Sequence, residues 1–198
     1  MSRPDLIAAI EPVIRAFDHL GVSYYIGGSV ASSAYGIAGA TMDIDTVSNL
    51  NRSHAAPLVR MLEESYYISE AMILDAIDHQ SSFNIIHLET MLKVDVFIAK
   101  ETPFHQESLR RRKKDTIDED DVSIELYLAS AEDIILHKLD WFCQLGQESE
   151  RQWLDILGVI KVQGNQLDQK YLKKWAEELA LPDLLKKAFE EADIEIYS

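Results

Sequence analysis

Two aspartates stand one residue apart at Asp43-Ile44-Asp45, and a third follows later beside a lysine, in Lys93-Val94-Asp95. On a strand, residues i and i+2 project to the same side. Asp43 and Asp45 then emerge together while Ile44 enters the core. Two like charges held so closely are unfavourable unless one is protonated or a cation lies between them. An all-oxygen donor set suits Mg²⁺ or Mn²⁺. The competing reading is an exposed strand end with two solvated acids. Asp95 has a competing reading of its own, an ion pair with Lys93 on the same strand face. A third feature is Gly27-Gly28-Ser29. Glycines let the backbone approach a phosphate closely, and helix-start amides with the Ser29 hydroxyl can donate to it. A plain turn is the alternative.

Elements that would position these residues are legible in the hydrophobic pattern. Leu6, Ile7, Ile10, Val13, Ile14, Phe17 and Leu20 recur at helical spacing, with Gly21 as a stop. Tyr24–Ile26 reads as a short strand running into Gly27-Gly28-Ser29, and Val30–Tyr35 as a helix that starts directly after it. Gly36–Ala40 reads as a loop, Asp43–Val47 as a second strand, and Leu58–Leu62 as part of a further helix. Ser82–Leu88 and Met91–Ile98 are two β-rich runs with a tight link at Glu89-Thr90. In the latter run Leu92, Val94, Val96 and Ile98 share one face, and Lys93, Asp95 and Phe97 the other.

Arg110–Lys114 is a basic run followed closely by the acidic run Asp118–Asp121, which together read as a solvated, mobile connection. Val122–Leu128 reads as a last strand. Ser130 reads as an N-cap with Glu132 and Asp133 in the first helical turn. Helical patterns then cover Ala131–Leu145, Glu150–Val162, Asp168–Leu179 and Pro182–Ala192. The expected class is α+β: a mixed β-sheet flanked by helices over 1–120, then a mainly helical C-terminal subdomain over 121–198 packed on it.

The 198 residues carry a net charge of −15, so most of the surface should repel polyanions, and broad binding to duplex nucleic acid is not expected. The single cysteine, Cys143, excludes an internal disulfide and a thiolate zinc cluster. The six histidines show no short ligand spacing. No apolar run is long enough to span a membrane, and a reducing cytoplasm is the expected compartment.

The order strand, Gly-Gly-Ser, helix, Asp-x-Asp and a later strand with Lys-x-Asp resembles the nucleotidyltransferase superfamily. Closer still is the bacterial abortive-infection and toxin-like (AbiEii-type) branch. That branch is similar in Gly-Gly-Ser/Thr-x-Ala (Gly27–Ala31), Thr-x-Asp-Ile-Asp (Thr41–Asp45) and Lys-x-Asp (Lys93–Asp95). Its later motifs are a lone helical lysine, matched by Lys138, and an arginine with an aspartate four residues on, matched by Arg151 and Asp155. The resemblance implies metal binding and catalysis by Asp43, Asp45 and Asp95. It implies nucleotide binding by Gly27, Gly28, Ser29, Thr41, Lys93, Lys138, Arg151 and Asp155. Lys138 and Asp155 have a competing reading as an interhelical ion pair, and Arg151 as part of a solvated helix face. Relatives commonly carry Arg where this chain has Gly39, and Asp where it has Gln152.

The implied activity is transfer of a nucleoside monophosphate from an NTP to a hydroxyl acceptor on RNA, protein or a small molecule, with Mg²⁺ or Mn²⁺. The alternative is a non-catalytic nucleotide- or partner-binding module of the same fold, one half of a toxin–antitoxin pair. A cognate antitoxin or a second copy in a homodimer is the expected protein partner.

Overall fold

The computed structural model describes residues 3–36, 43–119, 122–144, 146 and 149–196. The chain divides into two compact units, Met1–Gly27 with Thr41–Leu128, and Gly28–Ala40 with Ala129–Ser198.

The first unit opens with helix α1, Arg3–Leu20. Ile10, Val13, Ile14 and Phe17 line its buried stripe. Gly21 ends it in a left-handed conformation, φ +69°. Its amide donates to Asp18 O at 3.2 Å, and the Val22 amide donates to Phe17 O at 2.9 Å. This double closure satisfies carbonyls that the last turn would otherwise leave unpaired.

Strands β1 (Tyr24–Ile26), β2 (Asp43–Ser48), β3 (Tyr66–Tyr67), β4 (Ser82–His87), β5 (Lys93–Ile98), β6 (Lys113–Glu119) and β7 (Val122–Leu128) form one mixed sheet. Its order is β3-β4-β5-β2-β1-β7-β6. The β2/β5 and β1/β7 pairs are parallel and the others antiparallel. On β4, β5 and β2 burial alternates strictly, with Phe83, Ile85, Val94, Val96, Ile44 and Thr46 on the covered face.

Helix α3 (Arg52–Leu62) packs with α1 and with α4 (Glu70–Asp78), and α1 and α4 both reach β5. Asn51 opens α3 with a capping box: its side chain accepts from the Ser53 amide at 3.0 Å, and its own amide donates to His54 Nδ1 at 3.2 Å. Helix α5 (Pro103–Arg111) is capped by Thr102 with Pro103 in its first turn, where a missing N–H costs nothing.

The stretch expected to be a mobile connection is therefore ordered differently. Arg110 and Arg111 end α5, and Lys113–Glu119 is a strand paired in register with β7. As the outermost strand it tolerates charge, and Lys114 Nζ meets Glu125 on the neighbouring strand at 2.7 Å. Charged edges also deter unwanted strand addition. Asp120 and Asp121 lie outside the described residues.

The second unit holds α2 (Gly28–Tyr35), α6 (Ala131–Gln144), α7 (Glu150–Gln163), α8 (Gln169–Glu178) and α9 (Pro182–Glu191). α6 packs on α7, and α2 contacts both. At the end of α2 a side chain on Gly36 would meet Val159 N at 3.0 Å and Gly158 C at 3.2 Å, so the two backbones touch there. Ile135, Leu139, Ile156, Ile160, Leu172 and Phe189 form the core of this unit. Among the described residues no helix is long and apolar enough to cross a membrane.

Two tests follow from this packing. Thr46 Oγ1 is buried and, among the described residues, has no hydrogen-bond partner. A buried, unsatisfied hydroxyl costs free energy that a methyl group of the same shape would not. Thr46→Val should therefore raise stability by about 1 kcal/mol, read as a higher urea midpoint at unchanged slope. A lower midpoint would show that the hydroxyl is satisfied. Burial pushes the phenols of Tyr24 and Tyr66 above their ordinary value of 10.0. The folded state holds both neutral, so this contribution is intact below the unfolded pKa and is lost as pH rises above it. In absorbance titration at 295 nm, at least two of the eight tyrosines should stay unionised past that point until the protein unfolds.

Candidate functional site

The half-exposed face of the sheet gathers the acids. β2 and β5 run parallel with Asp43 opposite Lys93, Ile44 opposite Val94 and Asp45 opposite Asp95. Partners on adjacent strands lie about 4.8 Å apart and share a face. Asp45 and Asp95 therefore stand side by side. β4 adds Asn84 as the next member of the row, paired with Asp95 on its other side. On the β1 side the Gly27 amide donates to Asp45 O at 2.8 Å, so the end of β1 is tied to the acid-bearing strand. The row runs Asn84, Asp95, Asp45, Gly27.

Lys93 enters this row from within β5. Its Nζ lies 2.8 Å from Asp95 Oδ2, the side chains being 40% and 20% exposed. The ion pair expected as a competing reading for Asp95 is thus formed. It sits at the surface of the row, where water reaches the ammonium. Asp43 occupies the position across from Lys93, but its side chain lies outside the described residues, as do Gly39 and Thr41. Among the described residues no cluster of three His, Cys, Asp or Glu is assembled as a metal cage.

Gly28 and Ser29 open α2. Gly28 has φ +54°, a left-handed backbone that glycine adopts without strain. The Ser32 and Ser33 hydroxyls cap back onto Gly28 O and Ser29 O at 2.7 and 2.8 Å. A helix starting at Gly28 directs its first amides away from any helical acceptor.

In the helical unit Lys138 on α6 and Asp155 on α7 form an ion pair, Nζ to Oδ2 2.8 Å. The lysine is only 11% exposed, so the pair ties two helices. Arg151 lies on the exposed side of α7. A second polar cluster went unread in the sequence. Asp133 is fully buried and accepts from the Ser130 hydroxyl at 2.7 Å and the Tyr171 hydroxyl at 2.6 Å. Glu132 accepts from the Asp168 amide at 2.9 Å. Ser130 was readable as an N-cap, but nothing local points to Tyr171, which arrives from α8. Asn84 had a readable signal: alternation along β4 puts Ser82, Asn84 and Ile86 on one face.

No protein-family model matches the sequence, and no curated protein is significantly similar to it. Solved structures are similar. An antigenic nucleotidyltransferase-like protein from Paracoccidioides brasiliensis is 19% identical, covering 94% of this chain and 91% of its own, with a TM-score of 0.51. The antibiotic-resistance factor ANT(2'')-Ia is 16% identical, covering 93% and 92%, with a TM-score of 0.48. A lincomycin-bound lincosamide antibiotic adenylyltransferase is 14% identical, covering 82% and 98%, with a TM-score of 0.44. The first of these shows that the chain has a nucleotidyltransferase-like fold.

The Lys138–Asp155 pair makes a direct prediction. Lys138→Met leaves a largely buried carboxylate without its cation and should cost about 1–3 kcal/mol of stability. A double-mutant cycle with Asp155→Asn should recover part of that loss as coupling. Additive effects would show that the two side chains do not support each other.

Proposed function

We propose that the chain is a metal-dependent nucleotidyltransferase that moves a nucleoside monophosphate from an NTP to a hydroxyl acceptor on RNA, protein or a small molecule. The observation that carries this reading is the register of β2 against β5, which seats Asp45 directly beside Asp95 on a part-exposed face. Asp43, Asp45 and Asp95 with Lys93 occupy a two-by-two block of strand positions. Three carboxylates and one ammonium leave a formal charge of −2, which one divalent cation neutralises. The donors are all oxygen, and Asp95 is part-exposed, so the residues fit Mg²⁺ or Mn²⁺.

A bound cation would supply Lewis acidity to the transfer. Asp43, Asp45 and Asp95 would hold it. The acceptor hydroxyl oxygen bonds to the α-phosphorus as the bond from that phosphorus to the bridging oxygen breaks. Pyrophosphate leaves, and Asp95 takes the hydroxyl proton. Family resemblance assigns the phosphate contacts to Gly27, Gly28 and Ser29, with Thr41, Lys93, Lys138, Arg151 and Asp155 as further nucleotide-binding residues. The finer kinship, with the abortive-infection and toxin-like branch, rests on Gly27–Ala31, Thr41–Asp45 and Lys93–Asp95. Gly39, standing where relatives carry Arg, favours the second reading, a non-catalytic nucleotide- or partner-binding module in a toxin–antitoxin pair.

Labelled NTPs, Mg²⁺ or Mn²⁺ and a cell extract separate the two. The wild-type chain should label an acceptor, and Asp45→Asn or Asp95→Asn should cut the rate at least about a hundredfold. Absence of label with either metal, or transfer indifferent to Asp45→Asn, would remove the enzymatic reading.

A further inference from the structure

We propose that Lys93 is a resident counter-cation of Asp95, which keeps a divalent metal from that carboxylate until the phosphates of a nucleotide draw the ammonium away. Metal and nucleotide then enter together, and free metal alone binds weakly. This inference rests on the nucleotidyltransferase reading and names a regulation of its site.

Lys93 and Asp95 are i and i+2 on β5, so their side chains leave the same face, and Nζ reaches Oδ2 at 2.8 Å. Across the parallel pair Lys93 stands opposite Asp43 and Asp95 opposite Asp45. The lysine is thus anchored within the acidic block, and its short path to Asp95 gives it a high local concentration that a free ion must overcome. A dication taking up Asp95 must displace the ammonium or sit beside it, and two like charges at that range repel.

Exposure makes the displacement feasible. The Lys93 side chain is twice as exposed as that of Asp95, so the ammonium can swing outward without disturbing Val94 or Val96, which are buried in the opposite face. An ammonium that swings outward leaves both Asp95 and the neighbouring Asp43 position, and water alone offers it no anion there. A polyphosphate does, with acceptor oxygens that form strong charge-assisted hydrogen bonds. On the other flank of Asp95 stands Asn84, which is neutral and supplies no competing cation. Because linkage is reciprocal, whatever nucleotide does for metal affinity, metal does for nucleotide affinity.

The test uses the full chain without nucleotide. Free Mn²⁺ is followed by electron paramagnetic resonance during titration of the wild type, Lys93→Met, Lys93→Arg and Asp45→Asn, with thermal unfolding to confirm that each is folded. Lys93→Gln replaces the Met variant if the latter does not fold. The proposal expects the neutral variant to bind Mn²⁺ about tenfold more tightly than wild type. It expects Lys93→Arg, which keeps the charge, to stay as weak as wild type. If the neutral variant binds no more tightly while Asp45→Asn still weakens binding, the counter-cation proposal fails and the metal site stands. If neither wild type nor the neutral variant binds Mn²⁺, both the proposal and the metal-dependent reading fall.

Discussion

The parallel register between β2 and β5 is the constraint on which the rest of the sheet unit turns. Because strand side chains alternate with a period of two, a slip of one residue would bury Asp95 and expose Val94 and Val96. Val94 and Val96 are fully buried, and Ile44 and Ile85 nearly so. Their burial is what makes the slip costly. The apolar face of these strands thus determines which polar residues meet on the other face. The meeting of Asp45 with Asp95 is a by-product of core packing, and Lys93 moderates the repulsion it creates.

Much of this arrangement is local and hence readable from the chain. The stripe in α1 and its glycine stop, the alternation along β4 and β5, and the four C-terminal helices all follow from periodicity and punctuation. The sharing of one face by Lys93 and Asp95 follows from i, i+2 geometry alone. Pairing is different. Nothing in Asp43–Ser48 specifies that β5 will be its parallel neighbour, or that Asp45 will stand opposite Asp95 and not opposite Phe97. β6 was hidden for another reason: an outermost strand needs little apolar content, and its charges imitate a solvated linker. Tyr171 was unreadable as a partner of Asp133 because that bond joins two helices far apart in the chain.

The helical unit treats its charges in the opposite way from the sheet row. Asp133 and Glu132 are buried, and each has donors from fixed positions: two hydroxyls for the first, a backbone amide for the second. Buried carboxylates need such partners. Lys138 and Asp155 are likewise joined across two helices. Asp45 and Asp95 in the β2/β5 row instead remain part-exposed, with the half-exposed Lys93 paired to Asp95. Closed polar contacts fix helices to one another, while the row on the sheet leaves its carboxylates part-exposed.

The helical unit is discontinuous, since α2 belongs to it although the strands from β2 to β7 intervene before α6. During synthesis α2 leaves the ribosome long before the helices it packs against exist. Ala31, fully buried in the finished protein, must stay uncovered while the whole remaining sheet is made. A fragment starting at Ala129 would lack this helix and leave its seat on α6 and α7 bare. Translation order therefore makes the last third of the chain the step that completes the helical unit, and a nascent chain stalled before it would be an aggregation-prone intermediate.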